Sequence, residues 1–181
     1  MKLDVSTTIK LRLSELDCLD PITVFLENYE PGRGKITIEC FGKSWSSAWP
    51  AMGRRSVEAF FVHCNNGYLA SNLSDIRDTI AASDEVICQA LRKSLLELRR
   101  NGEVAKHEAR DLYKRAGEVT FEGGVCSDWS LMSATWGDEW YHCLPEVPNP
   151  DYLYLCRVID AVRDGLRQYI AQGEQHDGGE A

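Results

Sequence analysis

The chain has 181 residues, a formal net charge of −8, and 27% charged and 44% hydrophobic residues. This balance is typical of an ordered globular protein and excludes a disordered or fibrous chain. No apolar segment follows Met1 and no later apolar run reaches membrane-spanning length, so we predict neither a signal peptide nor a transmembrane helix. We therefore expect a cytoplasmic protein.

Alternating apolar and polar residues predict three strands near the amino terminus. Residues 22–26 and 36–40 each place Ile, Val, Leu or Cys on one face, and residues 30–34 between them contain one Pro and two Gly. Those turn residues favour a β-hairpin. Because an isolated hairpin is only marginally stable, we expect the alternating residues 9–13 to supply a third strand.

Residues 42–50 follow the hairpin and are predicted to form a loop or an extended edge. Trp45 and Trp49 lie here, close in sequence to several cations. Exposed indoles beside cations could stack on bases or on a partner's side chains. The alternative is that both indoles cap the open end of the sheet, since Trp is usually largely buried. The candidate secondary surface comprises Lys43, Trp45, Trp49, Arg54 and Arg55.

From Ser56 the apolar residues follow helical spacing, which predicts a short helix that stops at residues 65–67. Ser83 is a predicted N-cap of a longer helix ending at residues 101–102. A second, more polar helix over residues 103–116 is predicted to fold back on it as a helical hairpin. The buried stripe predicted for the longer helix comprises Val86, Ile87, Ala90, Leu91, Leu95 and Leu98.

The last third of the chain has a less regular pattern. Residues 118–122 are predicted as a strand, but residues 125–150 show no clean period. Pro150 then begins a strong helix that we expect to end at Gly173. Residues 174–181 are predicted to be a disordered tail.

These segments predict an α+β fold. Its small antiparallel sheet has about three to four strands and includes the N-terminal hairpin. Helices cover the apolar face of the sheet, among them a helical hairpin and a long C-terminal helix. We expect residues 1–173 to form a single domain, since this length supports a sizeable core.

The cysteine pattern favours reduced thiols. Seven Cys residues are scattered along the chain without a Cys-x-x-Cys pair, which is typical of buried thiols rather than of a disulfide framework. A zinc site built from His63, Cys64, His142 and Cys143 has a spacing that matches no familiar site. We therefore predict no metal and no cofactor.

Charge is distributed unevenly along the chain. Residues 1–117 contain 17 Lys or Arg and 16 Asp or Glu, whereas residues 118–181 contain 3 and 12. An acidic surface repels nucleic-acid phosphates and attracts basic proteins, although acidity can also serve solubility alone. Aromatic residues among the carboxylates favour an interface, because Trp and Tyr are frequent interface anchors. The predicted partner-binding residues are Asp128, Trp129, Trp136, Asp138, Glu139, Trp140 and Tyr141.

Two segments carry a family resemblance: DPITVFLENYEPGRGKITIECFGKSWSSAW at residues 20–49 and FFVHCNNGYLASNLSD at residues 60–75. They resemble a family of small accessory, non-structural proteins of tailed bacteriophages and prophages, over residues 9–75. The resemblance implies a protein that works inside a bacterial host, where such proteins often redirect host machinery or block a defence nuclease. It supplies no catalytic residue.

Three functional hypotheses follow. The first is an interaction protein that binds a host or defence protein with a basic surface through the acidic aromatic region, as an anti-defence inhibitor or DNA mimic would. The second is a metal-dependent enzyme acting on nucleic acid or nucleotides, with Asp20, Glu39 and Lys43, although their spacing departs from that of known nucleases. The third is nucleic-acid binding through the secondary surface, which the net charge disfavours. We expect binding rather than catalysis, and no membrane association; the sequence predicts no oligomeric state.

Overall fold

The structure is a computed structural model that describes Leu3, Val5, residues 7–122 and residues 124–177, with side chains described as far as Gly173. The chain separates into two compact units: unit 1 combines Met1–Asp78 with Pro150–Ala181, and unit 2 is Thr79–Asn149. The single domain predicted over residues 1–173 stays a prediction. Within the described part of the chain, no helix has both the length and the apolar character to cross a membrane.

The elements begin with four consecutive strands, and the helices follow them, which confirms the predicted α+β class. They are β1 (Ile9–Leu13), β2 (Ile22–Glu30), β3 (Arg33–Cys40), β4 (Lys43–Trp49), α1 (Val57–His63), α2 (Asn66–Leu73), β5 (Thr79–Ala81), α3 (Asp84–Asn101), α4 (Lys106–Arg115), β6 (Phe121–Glu122), β7 (Val125–Cys126), α5 (Trp129–Trp136), a 3₁₀ turn (Trp140–His142), β8 (Glu146–Pro148) and α6 (Pro150–Asp177).

Unit 1 is built on a four-stranded antiparallel sheet with strand order β1-β2-β3-β4. The predicted hairpin is confirmed: Ile22 pairs with Cys40 and Leu26 with Ile36 across β2 and β3. The predicted third strand is confirmed as β1, which pairs with β2 along its whole length. The sheet is therefore a meander in which consecutive strands are neighbours.

Residues 42–50, predicted as a loop or an extended edge, contain the extended edge strand β4. β4 pairs with β3 from Cys40–Lys43 to Gly34–Trp49, and Trp45, Ser47 and Trp49 alternate onto the buried face. Both indoles belong to the core of unit 1, as the alternative interpretation of these tryptophans predicted. The alternation was visible in the sequence, but the Phe-Gly turn before it is not one of the usual hairpin sequences.

Three helices cover the apolar face of this sheet. Val57 and Phe61 of α1 and Leu155 and Ile159 of α6 are fully buried in the core that contains the Ile, Val and Leu side chains of β2 and β3. Burying each such side chain stabilises the fold by about 1.5–3 kcal/mol. The apolar stripe of α6 thus fixes the carboxyl-terminal helix to the amino-terminal sheet.

One helix boundary in unit 1 agrees with the prediction and one differs. The short helix predicted to stop at residues 65–67 is α1, which ends at His63. Asn65 then caps the separate helix α2 by accepting a 2.8 Å hydrogen bond from the backbone N–H of Tyr68. Gly173 does not end α6, which continues to Asp177. The tail predicted to be disordered is thus helical over residues 174–177, and residues 178–181 lie outside the described residues.

Unit 2 has its own core. The predicted helical hairpin is confirmed as α3 and α4, and Gly102 ends α3 in the left-handed conformation with a φ of 81°. Val86 is exposed, so its predicted place in the buried stripe is wrong, and Cys88 is buried instead. The core consists mainly of Ile87, Leu91, Leu95, Leu112, Leu131, Met132 and Trp140.

Residues 125–149, for which no element was predicted, contain one helix, the 3₁₀ turn and two short strands. β8 pairs with β5, and β7 pairs with β6. The strand predicted over residues 118–122 is limited to Phe121–Glu122. These short elements carry the aromatic residues that the sequence singled out.

A candidate partner-binding face

Asp128 determines where α5 begins. Its Oδ1 atom accepts a 3.1 Å hydrogen bond from the backbone N–H of Leu131, as an N-cap residue does. Arg115, at the end of α4, donates to both carboxylate oxygens at 2.9 and 2.8 Å. Such a two-point contact fixes orientation as well as distance, so Asp128 joins the end of α4 to the start of α5.

These contacts change the acidity of the Asp128 carboxyl. Partial burial raises its pKa, but hydrogen bonds from Leu131, Arg115 and Ser130, together with the charge of Arg115, lower it by more. The pKa of Asp128 therefore lies below its ordinary value, and the group is ionised at neutral pH. Its negative charge interacts mainly with Arg115 and with the start of α5 inside the protein.

Trp140 forms the floor of an aromatic cluster. Its side chain is only 5% exposed. The ring of Trp129 meets it edge to face, with centroids 5.0 Å apart, and the ring of Tyr141 lies 6.2 Å away. Phe121 lies 6.2 Å from it within the same unit. Aromatic rings prefer such tilted contacts, so Trp140 holds its neighbours in fixed orientations.

Two members of the cluster are open to solvent. Trp129 is 59% exposed and Tyr141 is 50% exposed. Asp138 and Glu139, which are also exposed, come directly before Trp140 in the chain. We call these four residues, Trp129, Asp138, Glu139 and Tyr141, the acidic aromatic face.

The turn that carries the two carboxylates has a defined conformation. Gly137 ends α5 with φ 83° and ψ −179°, a combination essentially restricted to glycine. The hydroxyl of Ser133 donates a 2.6 Å hydrogen bond to Asp138 Oδ1. Ser133 and Gly137 thus position the face without belonging to it, and the sequence alone gave no signal for either role.

The segment of sequence that carries the face contains acidic but no basic residues. Residues 118–149 contain six Asp or Glu and no Lys or Arg, whereas all eight Lys and Arg of unit 2 lie within residues 92–115. Unit 2 has 12 Asp or Glu and 8 Lys or Arg, and unit 1 has 16 and 12, so each has a formal net charge of −4. Most of the negative net charge of the last third thus lies in residues 118–149 of unit 2, although the two units have equal net charges.

Three of the predicted partner-binding residues have other roles in the structure. Trp140 is a core residue and supports the face from below. Trp136 is half-buried, and its Nε1–H donates a 2.9 Å hydrogen bond to Ser94 Oγ. Asp128 is paired with Arg115. The other four of the seven predicted residues, those of the acidic aromatic face, are exposed, and partner binding by the set stays a prediction.

The secondary surface does not have stacking residues. Trp45 and Trp49 point into the core of unit 1, so neither indole can stack on a base. Lys43 lies 3.6 Å from the carboxylate of Asp151 and over the ring of Tyr154. Arg54 and Arg55 are exposed beside the β2–β3 turn. Only cations remain on this surface.

The residues of the enzyme hypothesis lie near one end of the sheet. Asp20 precedes β2, and Glu39 and Lys43 line a shallow depression around the β3–β4 turn. Lys43 is occupied by its contacts with Asp151 and Tyr154. Among the residues that the structure describes, no three His, Cys, Asp or Glu side chains cluster as metal ligands would. No observation raises this hypothesis above the first.

Comparison with known proteins shows which family the chain belongs to. The model of the Phage_phiTE_072 family, described as a phage family, matches residues 1–168. The chain belongs to this phage family. The match extends through unit 2 of this phage protein, well beyond the resemblance over residues 9–75. No curated protein and no solved structure gives a significant match.

Proposed function

We propose that this phage protein acts by stoichiometric binding to a host or defence protein that has a basic surface, through the acidic aromatic face. The observation that carries the proposal is the pair of half-exposed rings, Trp129 and Tyr141, held on the buried ring of Trp140 beside two exposed carboxylates. Membership of a phage family supports a setting inside an infected bacterium.

The aromatic pair suits a binding role because its geometry is already fixed. Trp and Tyr dominate the energetics of many protein interfaces when they enter a desolvated pocket. Rings that are held in place before binding lose little conformational freedom on association. Trp129 and Tyr141 each contact Trp140, so much of that ordering is achieved in the free protein.

The carboxylates favour a basic partner. Asp138 and Glu139 lie in a segment without Lys or Arg, so a positively charged surface would be attracted and a phosphate backbone repelled. A protein surface that normally holds DNA has this positive charge. Occupying it would block DNA access, which is how a DNA mimic inhibits a defence nuclease.

A capture experiment tests this proposal against the alternative that acidity serves solubility alone. The tagged protein is used to isolate a partner from lysate of the bacterial host, and the isolated partner is then titrated against purified variants. Trp129→Ala is expected to weaken binding about thirtyfold, as for an interface anchor. The double variant Asp138→Lys/Glu139→Lys is expected to weaken binding further, and this loss of affinity should be larger at low salt than at high salt.

The matched control is Asp75→Lys/Glu97→Lys, which makes the same change in net charge at two exposed positions outside the face. It should bind like the unmodified protein. If the control weakened binding as much as the charge reversal on the face, net charge rather than this face would be responsible. Unchanged binding by Trp129→Ala and by the charge reversal would exclude the face altogether.

A further inference from the structure

A groove between α3 and α4 lies outside the acidic aromatic face and is unlike it in charge. Its volume is about 280 Å³, and Leu95, Leu96 and Tyr113 form its apolar surface. Leu96 is 47% exposed and Tyr113 is 39% exposed. Because both side chains line one groove, they form a joint exposed apolar patch rather than scattered single residues, and such patches can mark interaction sites.

The rim of the groove is basic. Arg99 of α3 and Lys106 and Arg110 of α4 line it, and no Asp or Glu does. Within the described part of the chain, none of these three cations has an ion-pair partner within 4.0 Å. Lys106 and Arg110 are one helical turn apart, so their charges lie along the same side of α4.

The start of α4 adds to this positive potential. The helix begins at Lys106, and its N-cap residue, Ala105, has no side chain that could accept a hydrogen bond from the first backbone N–H groups. A cation at a helix N-terminus opposes the helix dipole, and Glu108 is the only acidic residue in that first turn. An anionic side chain of a binding partner would offset this locally unfavourable arrangement.

The shape and the charge together define the occupant. The groove lies open to solvent between two helices. It therefore differs from a small-molecule site, which buries most of its ligand in a cleft or cavity. Only the cations on its rim could contact a phosphate backbone, because the floor of the groove is apolar. Grooves of this kind bind amphipathic helices, whose anchors recur at i, i+3, i+4 and i+7.

We propose that the α3–α4 groove binds an amphipathic helix of a partner protein whose apolar stripe is flanked by Asp and Glu. Its apolar anchors would cover Leu96 and Tyr113, and its carboxylates would meet Arg99, Lys106 and Arg110. This site is distinct from the acidic aromatic face, and it selects the opposite charge. Unit 2 would then contact its partners through two surfaces of complementary chemistry.

The test uses the full chain and a fluorescein-labelled synthetic peptide of about 16 residues, long enough for four helical turns. The peptide has Leu on one face and Glu on both sides of it. Fluorescence anisotropy is expected to show saturable binding with a Kd on the order of 10 μM. A second peptide, in which every Glu is replaced by Lys, is expected to bind at least tenfold more weakly.

Two groove variants and one control locate the site. Lys106→Glu/Arg110→Glu is expected to reduce affinity for the acidic peptide at least tenfold, and Leu96→Ser severalfold. Lys93→Glu/Lys114→Glu changes net charge equally at exposed positions on the same helices outside the groove, and should retain most of the affinity. Leu96 is already half-exposed, so its substitution keeps the test valid if the charge variant unfolds.

Four results would overturn the proposal. The first is absence of saturable binding, and the second is equal affinity for the two peptides. The third is displacement of the acidic peptide by a single-stranded oligonucleotide, with loss of oligonucleotide binding in the groove variant, which would assign the groove to phosphates. The fourth is a dimer in sedimentation analysis that Lys106→Glu/Arg110→Glu dissociates, which would assign it to a second copy of the chain.

Discussion

At the scale of single residues, the backbone conformation of Phe41 lowers the stability of the fold. Phe41 and Gly42 form the two-residue connection between β3 and β4, with φ values of 46° and 72°. Positive φ at both positions is the hairpin geometry that Asn-Gly adopts most easily, and it is uncommon for a bulky residue. Phe41 is also 78% exposed, so burial returns little of this cost.

Phe41→Asn is therefore expected to stabilise the protein by about 1 kcal/mol, since Asn tolerates the left-handed region. Thermal unfolding followed by circular dichroism should show a midpoint about 2–4 °C higher. Phe41→Ala retains the positive φ at a residue with a side chain and serves as the control, with little expected change. A midpoint for Phe41→Asn at or below that of Phe41→Ala would contradict this account of the turn.

Asp128 gives a prediction that depends on pH. A carboxyl whose pKa is lower in the folded than in the unfolded state stabilises the fold above its ordinary pKa of about 4, and this contribution is lost as pH falls through the folded pKa. Asp128→Asn keeps an N-cap side chain but removes the charge that pairs with Arg115. We expect a loss of about 1 kcal/mol at pH 7, allowing for the partial exposure of the pair.

Urea unfolding of both proteins from pH 7 to pH 3 measures this difference. The gap in unfolding free energy should remain constant down to about pH 5 and then narrow as the unfolded-state carboxyl becomes protonated. A gap that stays constant to pH 3 would mean that the charge of Asp128 contributes nothing. A gap that widens on acidification would mean that its pKa is raised rather than lowered.

At the scale of elements, the sequence predicted those whose period is regular. Alternation located β1, β2 and β3, and helical spacing located α1, α3 and α6. For β4 the sequence left a loop and an extended edge both open, because Phe41 precedes the glycine of its turn, where Asn or Asp would have signalled a hairpin. α5 was missed because its apolar residues surround the helix, and such a helix gives no amphipathic pattern.

The contact between β3 and α1 depends on a missing side chain. A Cβ atom at Gly34 would lie 2.5 Å from the carbonyl oxygen of Glu27 and would overlap Cγ2 of Val57. Gly34→Ala is therefore expected to destabilise the protein by more than about 2 kcal/mol, because a packed interior accommodates an added methyl group poorly. Chemical denaturation should show this as a lower midpoint with an unchanged slope.

Two further variants show whether the clash is the cause. Val57→Ala in the Gly34→Ala background should restore part of the loss, so that the two changes are not additive. Gly173→Ala, where a Cβ meets nothing within 4 Å, should instead stabilise α6 by about 0.5–1 kcal/mol. If the effects of Gly34→Ala and Val57→Ala were additive, contact with Val57 would not be the cause of the destabilisation by Gly34→Ala.

At the scale of the whole molecule, the sequence predicted the fold class, the phage family and the acidic region. It did not distinguish exposed from buried aromatic residues, because Trp129, Trp136 and Trp140 occur in a segment without a regular period. Their exposure depends on tertiary contacts: the ring of Trp140 is covered by its neighbours, and Trp136 is held by Ser94. The α3–α4 groove was not predicted either, because its apolar floor and its three cations come together only where the two helices meet.

The central claim is that the molecule works by presenting the acidic aromatic face to a basic partner. Hydrogen–deuterium exchange of the phage protein, alone and saturated with the partner isolated from host lysate, tests it most directly. The account predicts slower exchange of backbone amides in residues 127–143 when the partner is bound. Protection confined to the four-stranded sheet, with unchanged exchange in residues 127–143, would contradict it.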